Sequence, residues 1–215
     1  MFELGLKFLI SYLTGSVMGA MVIGRLRGGV DIRAMGSGNA GGTNALRTQG
    51  WQFALGVVVI DVGKGVIATG VISTFELPFI VESSNVPAIW LAISCAAASV
   101  IGHVWPLWHK FRGGKGAATL IGTLIILSPS QLLPVLLVWT IVLVLSGFVG
   151  LATMCAGISA PLVLGAVGFP VEQPLFIYCA AMAFYLLFSH RSNIQRMWTG
   201  AENRVTGVML FRRLR

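Results

Sequence analysis

The chain has 215 residues, 56% hydrophobic and only 10% charged, with a formal net charge of +8. A soluble domain carries roughly a quarter charged residues, so the composition excludes one and implies an integral membrane protein. The alternating pattern of a transmembrane β-barrel is absent, which makes the expected class all-α.

Of the 15 Lys and Arg, Lys7 and Lys64 lie in apolar segments, and the remaining thirteen fall in 25–47, 110–115 and 191–215. Glu3, Glu76, Glu82 and Glu172 occupy the opposite set of loops. Basic loops mark the cytoplasmic side, so the positive charge sets topology and argues against nucleic acid as a partner. Cys95, Cys155 and Cys179 sit in apolar segments without metal-ligand spacing and read as small buried hydrophobes. The N-terminal apolar stretch has no basic leader and no small-residue cleavage site before Arg25, so it is not read as a signal peptide.

Residues 3–24 form a first expected span, with Gly15 and Gly19 four residues apart as a close-packing pair. Arg25, Arg27 and Arg33 then halt transfer, which places 25–50 in the cytoplasm and the N-terminus outside. The second span, 52–75, starts at Trp51 and contains Asp61 and Lys64 one turn apart. Charges inside a span are paired or functional; here an ion pair bracing helices under a site is weighed against direct substrate contact. The loop 76–87, with Glu76, Glu82 and two prolines, suits the outside.

The third span, 88–108, ends in the aromatic belt Trp-Pro-Leu-Trp at 105–108. Segment 117–128 is short, 131–168 is long enough for two spans broken near 146–150, and 173–189 makes one more. The basic loops 110–115 and 191–215 share a side, so an even number of spans must separate them. That parity yields seven transmembrane helices with a cytoplasmic C-terminus, in one polytopic domain over 1–215. A five-span count, with 117–128 re-entrant and 131–168 one very long helix, is the competing topology.

Three polar islands interrupt this hydrocarbon. The first reads Gly-Ser-Gly-Asn-Ala-Gly-Gly-Thr-Asn-Ala-Leu-Arg at 36–47. Glycines such as Gly38 let backbone N–H groups turn toward a bound group, Ser37, Asn39, Thr43 and Asn44 add short hydrogen-bonding arms, and Arg47 supplies charge. The second spans 109–119, with Gly113, Gly114, Lys115 and Gly116 at the start of the next helix, where the positive dipole end favours anions. The third, 190–202, holds His190 and Asn193 at helical spacing, then Arg196 and Glu202.

Two spellings in these islands are accidental. Gly36-x-Gly38-x-x-Gly41 matches a dinucleotide fingerprint, but a membrane span rather than a strand precedes it. Gly113-Gly114-Lys115-Gly116 lacks the first glycine and the Ser or Thr of a phosphate-binding P-loop, having His109 and Gly116 at those positions. An isolated glycine loop is ordinarily just a turn; three islands on one membrane face, each joining amides or hydroxyls to cations, point to anion chemistry.

The pattern Gly-Ser-Gly-Asn-x-Gly-x-Thr-Asn-x-x-Arg at 36–47 resembles the first signature of the bacterial acyl-phosphate:glycerol-3-phosphate acyltransferases, the PlsY family. Gly102-His103-Val104-Trp105-Pro106 with the run 111–119 resembles the second, and 190–196 with Gly200 and Glu202 the third. The resemblance implies a seven-helix bacterial inner-membrane enzyme with a cytoplasmic active site. Such an enzyme moves an acyl chain from acyl phosphate to the 1-hydroxyl of glycerol 3-phosphate, giving lysophosphatidate and phosphate for phospholipid synthesis.

The resemblance also implies that Ser37, Arg47, Lys115, His190 and Asn193 line the site, with the 113–116 glycine loop near the acyl phosphate. The family often has serines in the stretch matching 147–153, where this chain reads Gly-Phe-Val-Gly-Leu-Ala-Thr; Ser146 or Thr153 are the candidate replacements. The expected partners are acyl phosphate, glycerol 3-phosphate and the bilayer, with association with the acyl-phosphate-producing enzyme as a further partner; no cofactor and no metal are expected.

Acyl phosphate is already activated and no nucleophile–base–orienter pattern appears, so direct attack by the glycerol hydroxyl is favoured over an acyl-enzyme. His190 and the departing phosphate are both candidates for the proton; Asn193 and glycine-loop amides are candidates for stabilising the oxyanion. His103 and Glu202 are assigned supporting roles. A transporter for an organic phosphate is the alternative class, and it would need polar groups through the membrane thickness.

Overall fold

The computed structural model describes residues 1–77, 86–166 and 173–210. Glu82 and Glu172 of the acidic loops, Pro78, and Arg212, Arg213 and Arg215 of the basic C-terminal segment lie outside the described residues. Within them every regular element is helical. The chain divides into two units, Met1–Leu127 and Ser128–Arg215.

The first unit begins with α1 (Phe2–Gly15) and α2 (Gly19–Leu26), bent 42° to each other. The sequence pattern suggests one continuous span here; the structure breaks it. Ser16 turns its hydroxyl back to the Tyr12 carbonyl (2.9 Å), and Met18 is extended. Gly15 and Gly19 therefore sit on different helices and meet different partners. Gly15 packs on the Ser99 backbone, and Gly19 on Val57 and Asp61.

A break inside a membrane frees backbone groups that must be satisfied within the protein. Asp61 and Lys64 satisfy two of them. The Gly19 N–H donates to Asp61 Oδ1 (3.1 Å), and Lys64 Nζ donates to the Val17 carbonyl (2.8 Å). Asp61 and Lys64 are 3.1 Å apart and both buried.

Helix α3 (Gly42–Gln49) leads through Gly50 into α4 (Trp51–Val66), which continues as a π-helical turn over Ile67–Ile72. Helix α5 (Ala88–Val104) packs along α1, and α6 (Ala117–Leu127) along α4. These two crossings are close because glycines face backbone: a Cβ at Gly102 would overlap the Tyr12 carbonyl, and one at Gly122 the Val62 carbonyl. Under the first polar island lies an apolar cluster of Met18, Ala20, Ile32, Ala40, Ala45, Phe53, Ala54 and Val57, which seats that loop on α2 and α4.

The second unit contains α7 (Leu132–Ser146), α8 (Val149–Ala166), α9 (Gln173–Ser189) and α10 (Arg191–Trp198). Gly147, at φ 74, ends α7 and allows the reversal into α8, at the break expected from the sequence.

Among the described residues, four helical stretches are long and apolar enough to cross a bilayer: Trp51–Ile72, Ala88–His109, Pro129–Ser146 and Val149–Ala166. The bent pairs α1–α2 and α9–α10 raise the number to six if each is one span. Helix α6 has 11 residues, about 16 Å of helix against a hydrocarbon core of about 30 Å.

Candidate functional site

The first island is folded by one side chain. Asn44, in the first turn of α3, is 1% exposed. Its Oδ1 accepts the Ser37 N–H (2.9 Å), and its Nδ2 donates to the carbonyls of Ile32 (2.9 Å) and Met35 (3.0 Å). Asn44 thus closes the loop from inside, and its amide is occupied by protein. Gly36 and Gly38 carry positive φ (55° and 73°), which glycine adopts without strain.

The outer side of the loop presents Ser37, Thr43 and Arg47, all exposed. Thr43 and Arg47 are four residues apart and share one face of α3. Asn39 lies over Gly41, which precedes α3 with no side-chain cap. First-turn N–H groups, two hydroxyls and a guanidinium are together an anion-binding set.

Upstream, Asp31 caps the short 3₁₀ turn Ile32–Ala34 by accepting the Arg33 N–H (2.9 Å). Arg33 grips the same carboxylate side-on, Nε to Oδ1 at 3.0 Å and Nη2 to Oδ2 at 2.7 Å. That fork holds the Asp31 carboxyl below the usual carboxylate range, against partial burial. The remaining arm, Nη1, reaches the carbonyls of His109 (3.5 Å) and Arg112 (3.4 Å) on the second island. Within the first unit, then, the two islands are adjacent and tied.

The second island folds back on the end of α5. Gly113 N donates to the Val104 carbonyl (3.1 Å) and Gly114 N to the His103 carbonyl (3.2 Å). A side chain at Gly114 would collide with the His103 ring, so the loop needs glycine there. Gly116, at φ 86, turns the chain into α6, and Lys115 is half-buried between these two glycines.

Beneath the loop, His103 Nδ1 lies 3.4 Å from Asp61 Oδ1, the same oxygen that faces Lys64 and Gly19 N. Asp61, Lys64 and His103 thus form one buried group touching α2, α4 and α5, and the glycine loop rests on His103.

In the second unit, His190 precedes α10, with Nδ1 2.9 Å from the Leu186 carbonyl and 3.3 Å from Ser189 Oγ. Asn193 Nδ2 donates to Glu202 Oε1 (2.8 Å), and Arg196 Nε donates to Glu202 Oε2 (2.6 Å). The Glu202 N–H returns to the Arg196 carbonyl (3.1 Å). One carboxylate therefore holds two side chains of α10, and both His190 and Asn193 are buried. Gly150 of α8 packs directly on Asn193.

The hydroxyls considered for the 147–153 region are engaged locally. Ser146 Oγ donates to the Val142 carbonyl and accepts the Phe148 N–H; Thr153 Oγ1 donates to the Val149 carbonyl and accepts from Trp139 Nε1. Arg204, unremarked in the sequence, stacks on Phe148 at 4.5 Å. The other residue missed is Arg33, which the sequence presents only as one more cytoplasmic anchor; its signal was Asp31 two positions away. Among the described residues no three His, Cys, Asp or Glu side chains converge as a metal site would require.

Known proteins place this architecture. Residues 5–200 match the family model described as glycerol-3-phosphate acyltransferase. A glycerol-3-phosphate acyltransferase of Pelodictyon phaeoclathratiforme is 36% identical, over 92% of this chain and 94% of that protein. One from Salinibacter ruber is 34% identical over 96% and 94%. Among solved structures, PlsY (YgiH), described as an integral membrane glycerol 3-phosphate acyltransferase, is similar in two crystal structures. Its glycerol 3-phosphate form superimposes with TM-score 0.78 at 34% identity over 94% of both chains. Its lysophosphatidic acid form gives TM-score 0.76. The chain belongs to the glycerol-3-phosphate acyltransferase family, membrane-embedded helical enzymes of phospholipid synthesis.

Proposed function

We propose that this protein transfers a fatty acyl chain from acyl phosphate to the 1-hydroxyl of glycerol 3-phosphate, releasing lysophosphatidate and inorganic phosphate. The observation that carries the reading is the likeness, along nearly the whole chain, to a protein whose structure is described in a glycerol 3-phosphate form and a lysophosphatidic acid form. The polar loops support it: both substrates bear phosphate, and the anion-binding groups of the first unit come as two adjacent sets, Ser37, Gly38, Asn39, Thr43 and Arg47 on one loop and Gly113, Gly114, Lys115 and Gly116 on the other.

In this reading Arg47 and Ser37 bind one phosphate, and Lys115 with the glycine loop binds the other. Asn44 acts from behind, by shaping the loop that presents Ser37. The acceptor hydroxyl attacks the acyl carbon, the new ester C–O bond forms, and the bond from acyl carbon to phosphate oxygen breaks. His190 is the base. Its Nδ1 faces a backbone carbonyl and therefore carries the hydrogen, which leaves the lone pair on Nε2. Asn193, held by Glu202, stabilises the negative charge that develops on the acyl carbonyl oxygen. Asp61, Lys64, His103, Arg196 and Glu202 support these groups.

The topology that goes with this chemistry is one domain over 1–215 with seven spans. α1–α2 is a bent span, α6 a short one and α9 the seventh, with α10 beyond it on the cytoplasmic side. The N-terminus is outside, and the C-terminus and active site are on the cytoplasmic face of a bacterial inner membrane, where the acyl-phosphate-producing enzyme can dock.

The test is turnover of purified protein in detergent with acyl phosphate and labelled glycerol 3-phosphate. Labelled 1-acyl lysophosphatidate and one phosphate per ester are expected, and Arg47→Ala should lose at least about 100-fold in kcat/KM while still inserting in membranes. Turnover with acyl-CoA but not acyl phosphate refutes the donor. Labelled substrate crossing proteoliposomes, without lysophosphatidate, refutes the enzyme reading in favour of transport.

A further inference from the structure

Residues 109–112 carry an unexplained conformation. Lys110 and Phe111 are consecutive, neither is glycine, and both have φ 56. Left-handed backbone at ordinary residues stores strain and persists only where the surroundings enforce it. Two internal bonds help: Phe111 N donates to the Pro106 carbonyl (3.0 Å) and Arg112 N to the His109 carbonyl (3.1 Å). The carbonyls that bracket the strained pair, those of His109 and Arg112, are also the two that Arg33 Nη1 reaches.

Arg33 comes from the other loop. It lies four residues before Ser37, while Arg112 lies three before Lys115. Its Nε and Nη2 are fixed on Asp31, whose second duty is to cap the 3₁₀ turn leading into 36–47. The guanidinium is thus a rigid plate with one edge on the turn that leads into the first island and the opposite arm on the second. A lysine cannot reproduce it, having a single ammonium on a flexible stem.

We propose that Arg33 is a positioning residue for acyl transfer: it sets the separation of the 36–47 loop from the 109–116 loop, and so of the groups that hold the two substrates' phosphates. The inference rests on the acyltransferase reading above. Asp31 is its anchor. Substrate binding at either loop alone needs only that loop's own groups, whereas reaction needs both substrates in register, and small misplacements at that step are expensive in rate. Loss of Arg33 therefore falls on kcat more than on either KM.

The experiment pairs kinetics with amide hydrogen exchange on the full-length protein in detergent, comparing wild type, Arg33→Ala, Arg33→Lys and Asp31→Asn. Arg27→Ala, which removes a charge from the same basic stretch, is the control. In Arg33→Ala, exchange across 109–116 should rise about tenfold or more, and kcat should fall about 10- to 100-fold with each KM within about threefold. Arg33→Lys should not rescue either effect, Asp31→Asn should give a smaller version of both, and Arg27→Ala should match wild type.

Unchanged exchange at 109–116 in Arg33→Ala overturns the proposal, as does rescue by lysine or a loss confined to thermal stability. Should Arg33→Ala fail to purify folded, Arg33→Lys and Asp31→Asn decide by the same readouts. A wild-type protein that turns over neither acyl phosphate nor acyl-CoA refutes the functional reading, and exchange alone then decides the tie between the loops.

Discussion

The two glycine-rich loops of the first unit have similar compositions and are held in opposite ways. The 36–47 loop is organised from within: Asn44, only seven positions beyond Ser37, closes it with three hydrogen bonds, and Ile32, Ala40 and Ala45 seat it on the core. The 109–116 loop leans on the helices beneath it. It is draped over the end of α5 by backbone bonds and supported by His103, which stands on Asp61, which in turn ties down the broken α1–α2 segment and Lys64. A loop closed by its own side chain is a local device. A loop propped by a buried charge group inherits its shape from three helices, and damage to any of them reaches it.

The largest effect should come from breaking the prop. Asp61→Ala leaves the Lys64 ammonium buried without its counter-charge and the Gly19 N–H without its acceptor. Loss of one partner of a buried pair costs about 3–5 kcal/mol, to be read as a lower thermal midpoint in detergent with loosened exchange at 109–116. Removing both charges, in Asp61→Leu with Lys64→Met, should recover a substantial part of that stability, because the uncompensated charge is gone. Equal instability of the single and double variants would show that the hydrogen bonds to the α1–α2 break, not the charges, hold the helices.

A middle-sized effect is expected from the internal organiser. Asn44→Ala strands the Ser37 N–H, at about 1–3 kcal/mol for a polar group left unsatisfied, and removes one of the two donors to each of the Ile32 and Met35 carbonyls. Exchange should rise at 35–38 with little change at 109–116. A rise of the same size in both loops would mean that they behave as one unit, and the contrast drawn between them would fail.

The smallest effect is electrostatic. Arg33 lowers the Asp31 carboxyl below the ordinary range, so the folded value lies below the unfolded one. Its contribution to stability is present above the ordinary carboxylate value and is lost as pH falls through the folded value. Below about pH 4, wild type should lose stability more steeply than Asp31→Asn. The pair is only partly buried, so the difference should be small and should shrink in about 1 M salt. Parallel pH curves would indicate that the fork contributes geometry without measurable stability.

Much of the helix layout was legible in the sequence, because a lipid-facing helix must be apolar along its length and its interruptions are written as Gly, Ser and Pro. The α7–α8 break at Gly147 and the short α6 follow from that rule. The α1–α2 break was not legible: Gly15 and Gly19 read as a close-packing pair within one span, and the bend is stabilised by Asp61 and Lys64, more than 40 positions away. The polar islands announced themselves by glycine and amide content, yet the same composition hid that Asn44 faces inward while Ser37, Thr43 and Arg47 face out.

The sequence by itself determined the membrane class, the helical composition and the three chemically distinct polar stretches, for these follow from residue type and local spacing. The division of labour among polar side chains was decided only by the tertiary structure. His103 reached Asp61 across two helices, and Arg33 reached the carbonyls of His109 and Arg112 from 76 and 79 positions away. No local period relates such residues; packing of glycine-lined helices brings them together, and burial then obliges each polar group to find a partner.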